Sequence, residues 1–410
     1  MHPHEPSPLP APLGAGRPRL GIGDIFRAHG GLYQAGHALT VVERRALRDI
    51  AACRTPVLGG HVDVCAHCGF QRPAFNSCRN RHCPGCNALK QHRWIEQREQ
   101  RLLPTPYFHV VFTVPAQLRP VALHDRSAFF AILFEAASQT LLALAADPKR
   151  LGAQPAITAI LHTWTRDLSF HPHLHCIISG GGLTPDGKWA AARQDYLFPV
   201  KVLSRLFRGK VLAALRNAAN TGKLHVGDTP TDKVRFAATC NTIQRKDWVV
   251  YCKKPFGGPE QLLKYLGRYT HRVAISNARI LNVDDNTVRF LTKNGKSVTL
   301  KCQEFIRRFL LHVLPSGFVK IRHYGLLAPA NVHTRLPLAR QQLQTHLPPA
   351  SPPAIPAPTP PPADWRELLH NLTGVDLSVC PRCSGPMLPH SAPLALSHTV
   401  AAAPAAPDTS

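Results

Sequence analysis

The chain has 410 residues, with 49 lysines and arginines against 24 aspartates and glutamates, so its formal net charge is +25. Hydrophobic residues make up 44% of the chain, which excludes a wholly disordered protein, and the length predicts two or three domains. The charge favours a polyanionic partner, with nucleic acid as the first candidate, although a merely basic surface would give the same balance. Neither a signal peptide nor a run of about 18 uncharged apolar residues is evident, so we expect a cytoplasmic protein without a membrane span.

The N-terminal part of the chain predicts a small cysteine-rich module. Residues 1–20 are rich in proline and are predicted to be disordered. Helical periodicity begins near Ile22 and runs through Ile50, and six of the twelve cysteines then lie between Cys53 and Cys86. A basic amphipathic helix, KQHRWIEQREQRLL, is predicted to end at Pro104. These signals define a module over residues 21–104.

Residues 105–330 predict a second domain in which strands and helices are mixed. A core strand is expected over Tyr107–Pro115, followed by a long helix over Ser127–Ala146 and a hairpin from Ala156 whose second strand, HPHLHCIISGGG, ends at the glycines. The later elements predicted are a helix over Lys201–Asn220, strands over Val234–Cys240 and Trp248–Cys252, a short helix from Pro259, strands around Val273–Ile280, Thr287–Leu291 and Ser297–Leu300, and the helix EFIRRFLLHVL. The absence of a regular strand–helix–strand repeat favours an α+β fold.

Beyond about Ala330 the composition predicts no further folded domain. Residues 331–363 form a Pro-rich linker that cannot make a packed core. Residues 364–410 form a tail that contains the pair Cys380 and Cys383, and its Ala/Pro-rich end is predicted to be disordered.

Two pairs of cysteines predict a structural zinc site. Cys65 and Cys68 are separated by two residues, and Cys83 and Cys86 repeat this spacing after fourteen further residues. Each pair supplies two thiolates from one tight turn, as in tetrahedral four-cysteine zinc sites, and a reducing cytoplasm favours metal binding over disulfides. We expect one zinc ion at these four residues.

Several other candidate ligands cannot be assigned from spacing. A second site or a replacement ligand could come from a group of neighbouring side chains, namely Cys53, Cys78, His61, His67 and His82. The pair Cys380 and Cys383 is half a site, which could be completed by His370 or His390 or could stay free of metal. Because Arg79 and Arg81 alternate with the cysteines, the module is predicted to contact DNA rather than to hold a catalytic zinc.

Paired histidines and paired tyrosines predict a catalytic site. His173 and His175 lie two residues apart on a predicted strand, so both imidazoles project from one face and could share a divalent ion. Tyr265 and Tyr269 are four residues apart on a predicted helix, so both hydroxyls could reach one site. Taken alone, the histidine pair could be ordinary surface histidines. Taken alone, the tyrosine pair could be an aromatic stripe packed in the core.

Taken together, these segments resemble one family. HPHLHCIISGGG resembles the HUH motif (His, hydrophobic residue, His) of single-strand endonucleases, and KYLGRYTHRVAISNARI resembles the two-tyrosine helix of rolling-circle transposases in the insertion-sequence-91 family. The same family begins with a zinc module similar to CAHCGFQRPAFNSCRNRHCPGC. It also contains segments similar to LLPTPYFHVVFTVP and EFIRRFLLHVLPSGFVKIRHYGLL. The resemblance is collinear from about Ala35 to Ala328.

The resemblance implies an α+β HUH nuclease domain with an antiparallel sheet and a tyrosine helix, preceded by the zinc-binding domain. It implies a bacterial, nucleoid-associated transposase that nicks and joins single-stranded DNA at element ends and keeps the 5′ phosphate on a tyrosine. Tyr265 and Tyr269 would be the nucleophiles, and His173 and His175 would bind Mg²⁺ or Mn²⁺. Strand separation would need a host helicase, supercoiling or replication, since no ATP-binding P-loop is visible.

Three points stay open at this level. The third ligand of the catalytic metal is predicted to be His162, with His271 and His171 as alternatives. Phosphate contacts are expected from a set of basic residues, namely Arg268, Arg272, Arg307, Arg308, Lys320 and Arg322, and base stacking from Trp164 or Tyr324. A replication initiator or relaxase with the same chemistry, or a zinc-dependent DNA-binding regulator without catalysis, would share many of these features.

Overall fold

A six-stranded antiparallel sheet organises the centre of the molecule in the computed structural model, which describes residues 20–86, 101–193, 196–253, 274–345, 370 and 376–390. Its strands follow the order β11-β4-β5-β3-β7, and β6 pairs with β5. The strand bounds are β3 Tyr107–Thr113, β4 Gln154–Trp164, β5 Phe170–Leu183, β6 Trp189–Ala191, β7 Val250–Lys253 and β11 Ile321–Gly325. The predicted antiparallel α+β architecture is therefore confirmed.

Strict alternation along β5 gives this sheet two different faces. Leu174, Cys176 and Ile178 are buried in the main hydrophobic core, whereas His173 and His175 between them are only half-buried. Helices α4 (Arg126–Ala146) and α5 (Val200–Asn220) cover the apolar face. Since successive side chains of a strand point to opposite faces, burying the apolar set fixes the histidines on the other face.

The three glycines that follow the histidines lie within β5 and do not end it, contrary to the sequence prediction. Neighbouring chain segments approach β5 closely at these positions. A Cβ atom on Gly180 would lie 2.8 Å from the Pro106 carbonyl oxygen, and one on Gly181 would lie 2.6 Å from the Trp189 ring. Glycine is therefore required for the packing of the adjoining segments, and the strand continues to Leu183.

The strand predicted over Val234–Cys240 is wrong, because the structure has helix α6 over Pro230–Gln244. Thr229 caps this helix by accepting a hydrogen bond from the Asp232 backbone N–H, and Pro230 occupies its first turn. Its buried residues are Phe236, Cys240 and Ile243, whose spacing is that of one helical face. The N-terminal cap and Pro230 therefore favour a helix more strongly than the alternating apolar residues of Val234–Cys240 favour a strand.

The N-terminal module begins with two helices, α1 (Ile22–Gly36) and α2 (Val41–Ala52). A small antiparallel sheet of order β12-β1-β2 follows, with bounds β1 Gly60–Cys65, β2 Gln71–Phe75 and β12 Met387–His390. One strand of this sheet thus comes from the far end of the chain. The basic helix predicted before Pro104 lies mostly outside the described residues.

The two N-terminal helices share a hydrophobic core with residues far along the chain. A second antiparallel sheet contains β8 Ile280–Val283, β9 Thr287–Leu291 and β10 Ser297–Lys301, and it leads into helix α7 (Cys302–Leu310). Phe305 and Phe309 of α7 pack with Ile25 and Phe26 of α1 in one buried cluster. The two domains predicted to meet at residue 104 are therefore joined by a common core. The strand predicted from Val273 begins only at Ile280.

Part of the range predicted to be a Pro-rich linker, residues 331–363, is helical in the structure. Helix α8 covers Arg335–Thr345 and buries Leu336, Ala339 and Leu343 against Leu326 and its neighbours. These three positions lie on one side of a helix, which the high overall polarity of the segment concealed. A smaller helix, α3 (Arg119–His124), completes the described helices.

Among the described residues, α4 has the length and apolar composition that could cross a membrane. In this structure 67% of its most apolar window is buried. It forms the main core together with the sheet and α5. Its apolar character is accounted for by that packing.

The shared core predicts a large effect of one substitution. Phe309 is fully buried and makes an edge-to-face contact with Phe26 at a centroid distance of 5.2 Å. Phe309→Ala should lower the free energy of unfolding by about 3–5 kcal/mol, since it removes a large side chain from a packed interior. Urea denaturation measures this change. Leu281→Ala, at an exposed position of β8, should change it by about 0.5 kcal/mol or less. Equal effects of the two substitutions would contradict the shared core.

Candidate active site and cysteine clusters

Three histidines meet on the half-buried face of the central sheet. His162 on β4 lies directly opposite His173 on β5, and His175 follows two residues later. The ring centroids of His162 and His175 are 4.3 Å apart, and those of His173 and His175 are 4.9 Å apart. One ring nitrogen from each residue lies within 4.8 Å of the other two. This arrangement could hold one divalent metal ion.

Hydrogen bonds orient the imidazoles of the paired histidines. The Nδ1 atom of His173 lies 2.7 Å from the His171 carbonyl oxygen, so it carries the proton and donates to that oxygen. The lone pair of His173 is then on Nε2, where a metal could bind. The side chain of His171 does not join the cluster, and His271 lies outside the described residues.

A fourth histidine, His109, supports this cluster and was not singled out from the sequence. It lies on β3 diagonally from His175, is 4% exposed, and places its Nε2 atom 2.8 Å from the His175 Nδ1 atom. If His175 offers Nε2 to a metal, its Nδ1–H group donates to His109. In the sequence, His109 stands out as a polar residue within the apolar strand YFHVVFTVP. Only the strand register relates it to His175.

Burial keeps these imidazoles in the neutral form that binds metals. It lowers the pKa of His173 and of His109 to about 4, and the positive charge of Lys253 adds to the effect on His109. It also holds the pKa of His175 well below its usual range, and the neighbouring His173 and His109 act in the same direction. The donor set therefore fits a divalent ion without loss of protons at neutral pH.

An aromatic side chain and a cation flank the three histidines. The Trp164 ring stacks on His162 at a centroid distance of 4.7 Å, and the Lys320 ammonium lies 5.0 Å from the centre of the Trp164 ring. Burial, with a contribution from Arg81, lowers the pKa of Lys320 to about 7. With this pKa the amine is only partly protonated near neutral pH, and a phosphate group bound beside it would favour the charged ammonium form.

The other predicted DNA contacts occupy different surroundings. Arg79 and Arg81 are exposed beside the N-terminal cysteines, and the Arg81 guanidinium donates to the Phe318 carbonyl oxygen at 2.8 Å. Arg307 and Arg308 both bind Glu304, with the shortest N–O distances at 2.6 and 2.7 Å. Arg268 and Arg272 lie outside the described residues.

Two of the residues expected to contact nucleic acid lie on the covered face of the sheet. The Arg322 guanidinium lies over the Phe134 and Phe318 rings, at 4.4 and 5.2 Å from their centres. Tyr324 packs against the main core. Both therefore face the helices rather than the histidines. The predicted nucleophiles Tyr265 and Tyr269 lie outside the described residues.

The structure does not bring Cys65, Cys68, Cys83 and Cys86 together into one site, which corrects the sequence prediction. Cys83 and Cys86 group with Cys53 and Cys78, and this set is named the inner cluster. Cys65 and Cys68 group instead with the C-terminal pair Cys380 and Cys383, and this second set is named the outer cluster. Spacing identified both pairs, but β1 and β2 separate them and direct each pair to different partners.

The sulfur atoms of the inner cluster have the spacing of a zinc tetrathiolate. Cys53 lies 3.3 Å from Cys86 and 3.5 Å from Cys83, and Cys78 lies 3.6 Å from Cys86. Four sulfurs around one zinc ion at 2.3 Å are about 3.8 Å apart. Thiol hydrogen bonds, chiefly from Cys53, lower the pKa of Cys86, while thiol contacts, chiefly with Cys53 and Cys78, and burial raise the pKa of Cys83.

Comparison with known proteins identifies the class. Residues 25–114 match the family profile described as "Transposase zinc-binding domain", and residues 156–335 match the one described as "Putative transposase". The chain is 44% identical over 373 residues to "Putative transposase y4qJ" of Sinorhizobium fredii, which covers 88% of this chain and 92% of that protein. It is 28% identical over 343 residues, 78% of each chain, to "Transposase for insertion sequence element IS801" of Pseudomonas savastanoi pv. phaseolicola.

A zinc-binding module joined to an antiparallel sheet with clustered histidines thus defines a transposase, an enzyme that cleaves and transfers DNA strands. The chain belongs to the insertion-sequence-91 family of transposases. Its zinc-binding domain and cysteine clusters support structural zinc, and DNA is the partner that the family implies.

The position of His109 predicts a role in orienting His175. His109→Ala should weaken Mn²⁺ binding by about 10–100-fold, because the hydrogen bond that fixes the His175 ring is lost. Titration calorimetry on the full chain measures the affinity. His109→Gln should recover part of it, and His173→Ala should nearly abolish it. His171→Ala is the control: it removes a ring 5.4 Å from that of His173 that is not part of the three-histidine cluster and keeps the backbone oxygen that accepts from His173, so it should weaken the affinity far less than His109→Ala. An unchanged affinity in His109→Ala would exclude this role.

Proposed function

We propose that this transposase nicks and joins single-stranded DNA at the ends of its element by tyrosine attack, in a rolling-circle reaction. The observation that carries the proposal is the cluster of His162, His173 and His175 on the face of the sheet opposite α4 and α5. The paired tyrosines and the basic charge of the chain support it. The reaction needs no ATP, because each step exchanges one phosphodiester for another.

His162, His173 and His175 would hold a catalytic Mg²⁺ or Mn²⁺ ion. Such an ion polarises the scissile phosphate and stabilises the negative charge that develops in the transition state. The chain itself contributes the orientation of this site. His109 and the His171 carbonyl fix two of the imidazoles, and burial keeps them neutral.

Tyr265 and Tyr269 would be the two nucleophiles, as the resemblance to two-tyrosine transposases implies. In cleavage, a tyrosine Oη atom bonds to phosphorus, the bond from phosphorus to the 3′ oxygen breaks, and that oxygen takes up a proton. In joining, a 3′ hydroxyl attacks the phosphotyrosine, which breaks the bond to Oη and returns a proton to the tyrosine. Two tyrosines would let one hold a DNA end while the other cleaves a second strand.

The residues beside the histidines suit a single strand. The Trp164 ring stacks on His162 and has the Lys320 ammonium over it, so Lys320 is held beside the histidines, where it would contact a phosphate of the strand. Arg79 and Arg81, beside the inner cluster, would contact the DNA backbone from the zinc module. Strand separation would come from a host helicase, supercoiling or replication, since the sequence contains no P-loop.

The tyrosine chemistry predicts a covalent adduct. With Mn²⁺ and 5′- or 3′-labelled strands from the element ends, the native chain should retain the DNA on the 3′ side of the cut through its 5′ phosphate on a denaturing gel. Tyr265→Phe and Tyr269→Phe should each reduce this adduct, and the double variant should abolish it because no nucleophile remains. His173→Ala/His175→Ala should also abolish it. Tyr196→Phe, at an exposed tyrosine, is the control.

An adduct that persists in the double tyrosine variant would exclude these residues as nucleophiles. DNA binding without any adduct, in the presence of metal, would favour a DNA-binding regulator without catalysis. Both results require variants that bind as much zinc as the native chain and give the same mobility shift with DNA.

The position of Lys320 predicts a contribution to phosphate binding. Lys320→Met should slow single-strand cleavage by about 10–100-fold, the loss expected for one charge-assisted contact of about 1.4–2.7 kcal/mol. Lys320→Arg should restore part of the rate because it keeps a cation. Rates are measured with oligonucleotide well below its KM, where a loss of phosphate binding lowers the rate. Lys296→Met, at an exposed turn beyond β9, is the matched control and should cleave normally. Equal rates in the two methionine variants would rule out the phosphate contact.

A further inference from the structure

The outer cluster joins two segments from opposite ends of the chain. The Cys65 sulfur lies 3.4 Å from the Cys383 sulfur, and the Cys68 sulfur lies 3.7 Å from the Cys380 sulfur. The four sulfur atoms lie within 4.8 Å of one another. These distances approach the spacing of about 3.8 Å expected for four thiolates around one zinc ion.

The two cysteine pairs of the outer cluster have the same backbone conformation. In the first turn, the Cys65 N–H donates to the Phe70 oxygen at 2.9 Å and the Gly69 N–H donates to the Cys65 oxygen at 3.1 Å. In the second turn, the Cys380 N–H donates to the Gly385 oxygen at 2.8 Å and the Ser384 N–H donates to the Cys380 oxygen at 3.0 Å. The residue after each second cysteine has a positive φ, 69° at Gly69 and 57° at Ser384.

Both turns also direct backbone N–H groups at their first sulfur atom. The N–H groups of His67 and Cys68 point to the Cys65 sulfur at 3.4 and 3.5 Å, and the Arg382 N–H points to the Cys380 sulfur at 3.4 Å. Such donors stabilise a thiolate, the form of cysteine that binds metal. Two matching turns that face each other form the two halves of a four-thiolate site.

The contacts that the structure describes around the outer cluster include a short strand pairing and a small apolar core. Strand β12 pairs with β1, so that Cys65 lies opposite Met387, and the Ala66 N–H donates to the Pro386 oxygen at 3.1 Å. Within the part of the chain that the structure describes, the buried apolar cluster here consists of Cys65, Cys380 and Met387, with Phe70 partly buried beside it. A three-stranded sheet of this size with so small a core is marginal without a metal or disulfide staple.

We propose that Cys65, Cys68, Cys380 and Cys383 bind a second structural zinc ion, which ties the C-terminal segment to the N-terminal module. The segment thereby supplies both the last two ligands and the outer strand of the module's sheet. This site is separate from the inner cluster, so a full chain binds two zinc ions in its cysteine clusters. The inference does not depend on DNA cleavage, because zinc binding is measured without DNA.

Zinc content of the full chain tests the proposal. Elemental analysis of the purified native chain should give about two zinc ions per chain, and Cys380→Ser/Cys383→Ser should give about one. Cys252→Ser, at a half-buried cysteine outside both clusters, is the matched control and should keep both ions. Replacement of zinc by Co²⁺ gives a second measurement, since the sulfur-to-cobalt absorption should fall by about half in the serine variant. Unchanged zinc content and cobalt absorption in that variant would overturn the proposal.

A second experiment applies even where the serine variant fails to fold. A protease site placed in the sequence PPASPPAIPAPTPPPAD lets the C-terminal fragment be cut from an otherwise native chain. The fragment should stay bound through gel filtration and leave when 1,10-phenanthroline removes zinc. In Cys53→Ser/Cys78→Ser, which lacks two inner ligands, the fragment should still stay bound. Release while both zinc ions remain, or retention after both are removed, would overturn the proposal.

Discussion

The alternation of apolar and polar side chains along β5 is the constraint on which the geometry of the histidine cluster depends. Leu174, Cys176 and Ile178 must be buried under α4 and α5, and this leaves His173 and His175 on the other face. A register shift of one residue would exchange the two sets and bury the histidines under the helices. Because β4 and β3 pair with β5 on either side, the same register also places His162 and His109 beside them.

The site is therefore built from neighbouring strands rather than from loops. Side chains held by a central sheet are oriented more rigidly than side chains on loops, which suits a reaction that needs a fixed metal and phosphate. Fixed acceptors, the His171 carbonyl oxygen and the His109 ring nitrogen, add to this, since they hold the ring of each paired histidine in one tautomer.

Strand alternation and cysteine spacing predicted which neighbouring residues act as a pair. They did not predict which residues distant in the sequence come together. Period-two alternation was enough to place His173 and His175 on one face, and the hairpin brought His162 opposite them. His109 could not be linked to His175 without the pairing of β3 with β5. Cysteine spacing identified each two-residue pair, but which pairs combine depends on where β1, β2 and β12 lie. The alternating apolar residues of α6 suggest a strand, whereas its Thr229 cap and Pro230 mark the start of a helix.

The inner cluster and the active-site sheet are connected through the segment that leads into β11. His82, one residue before Cys83, accepts a hydrogen bond from the Leu314 N–H at 3.0 Å, and burial lowers the pKa of His82 to about 3, so the ring stays neutral as an acceptor. Arg81 binds the Phe318 oxygen in the same segment. Two residues later this segment reaches Lys320, beside Trp164 and the histidines. The turn that carries the inner cysteines is thus fixed against the chain that positions Lys320. The segment that carries Arg81 and His82 is therefore held at a fixed distance from the three histidines, because both side chains bond directly to the chain that carries Lys320.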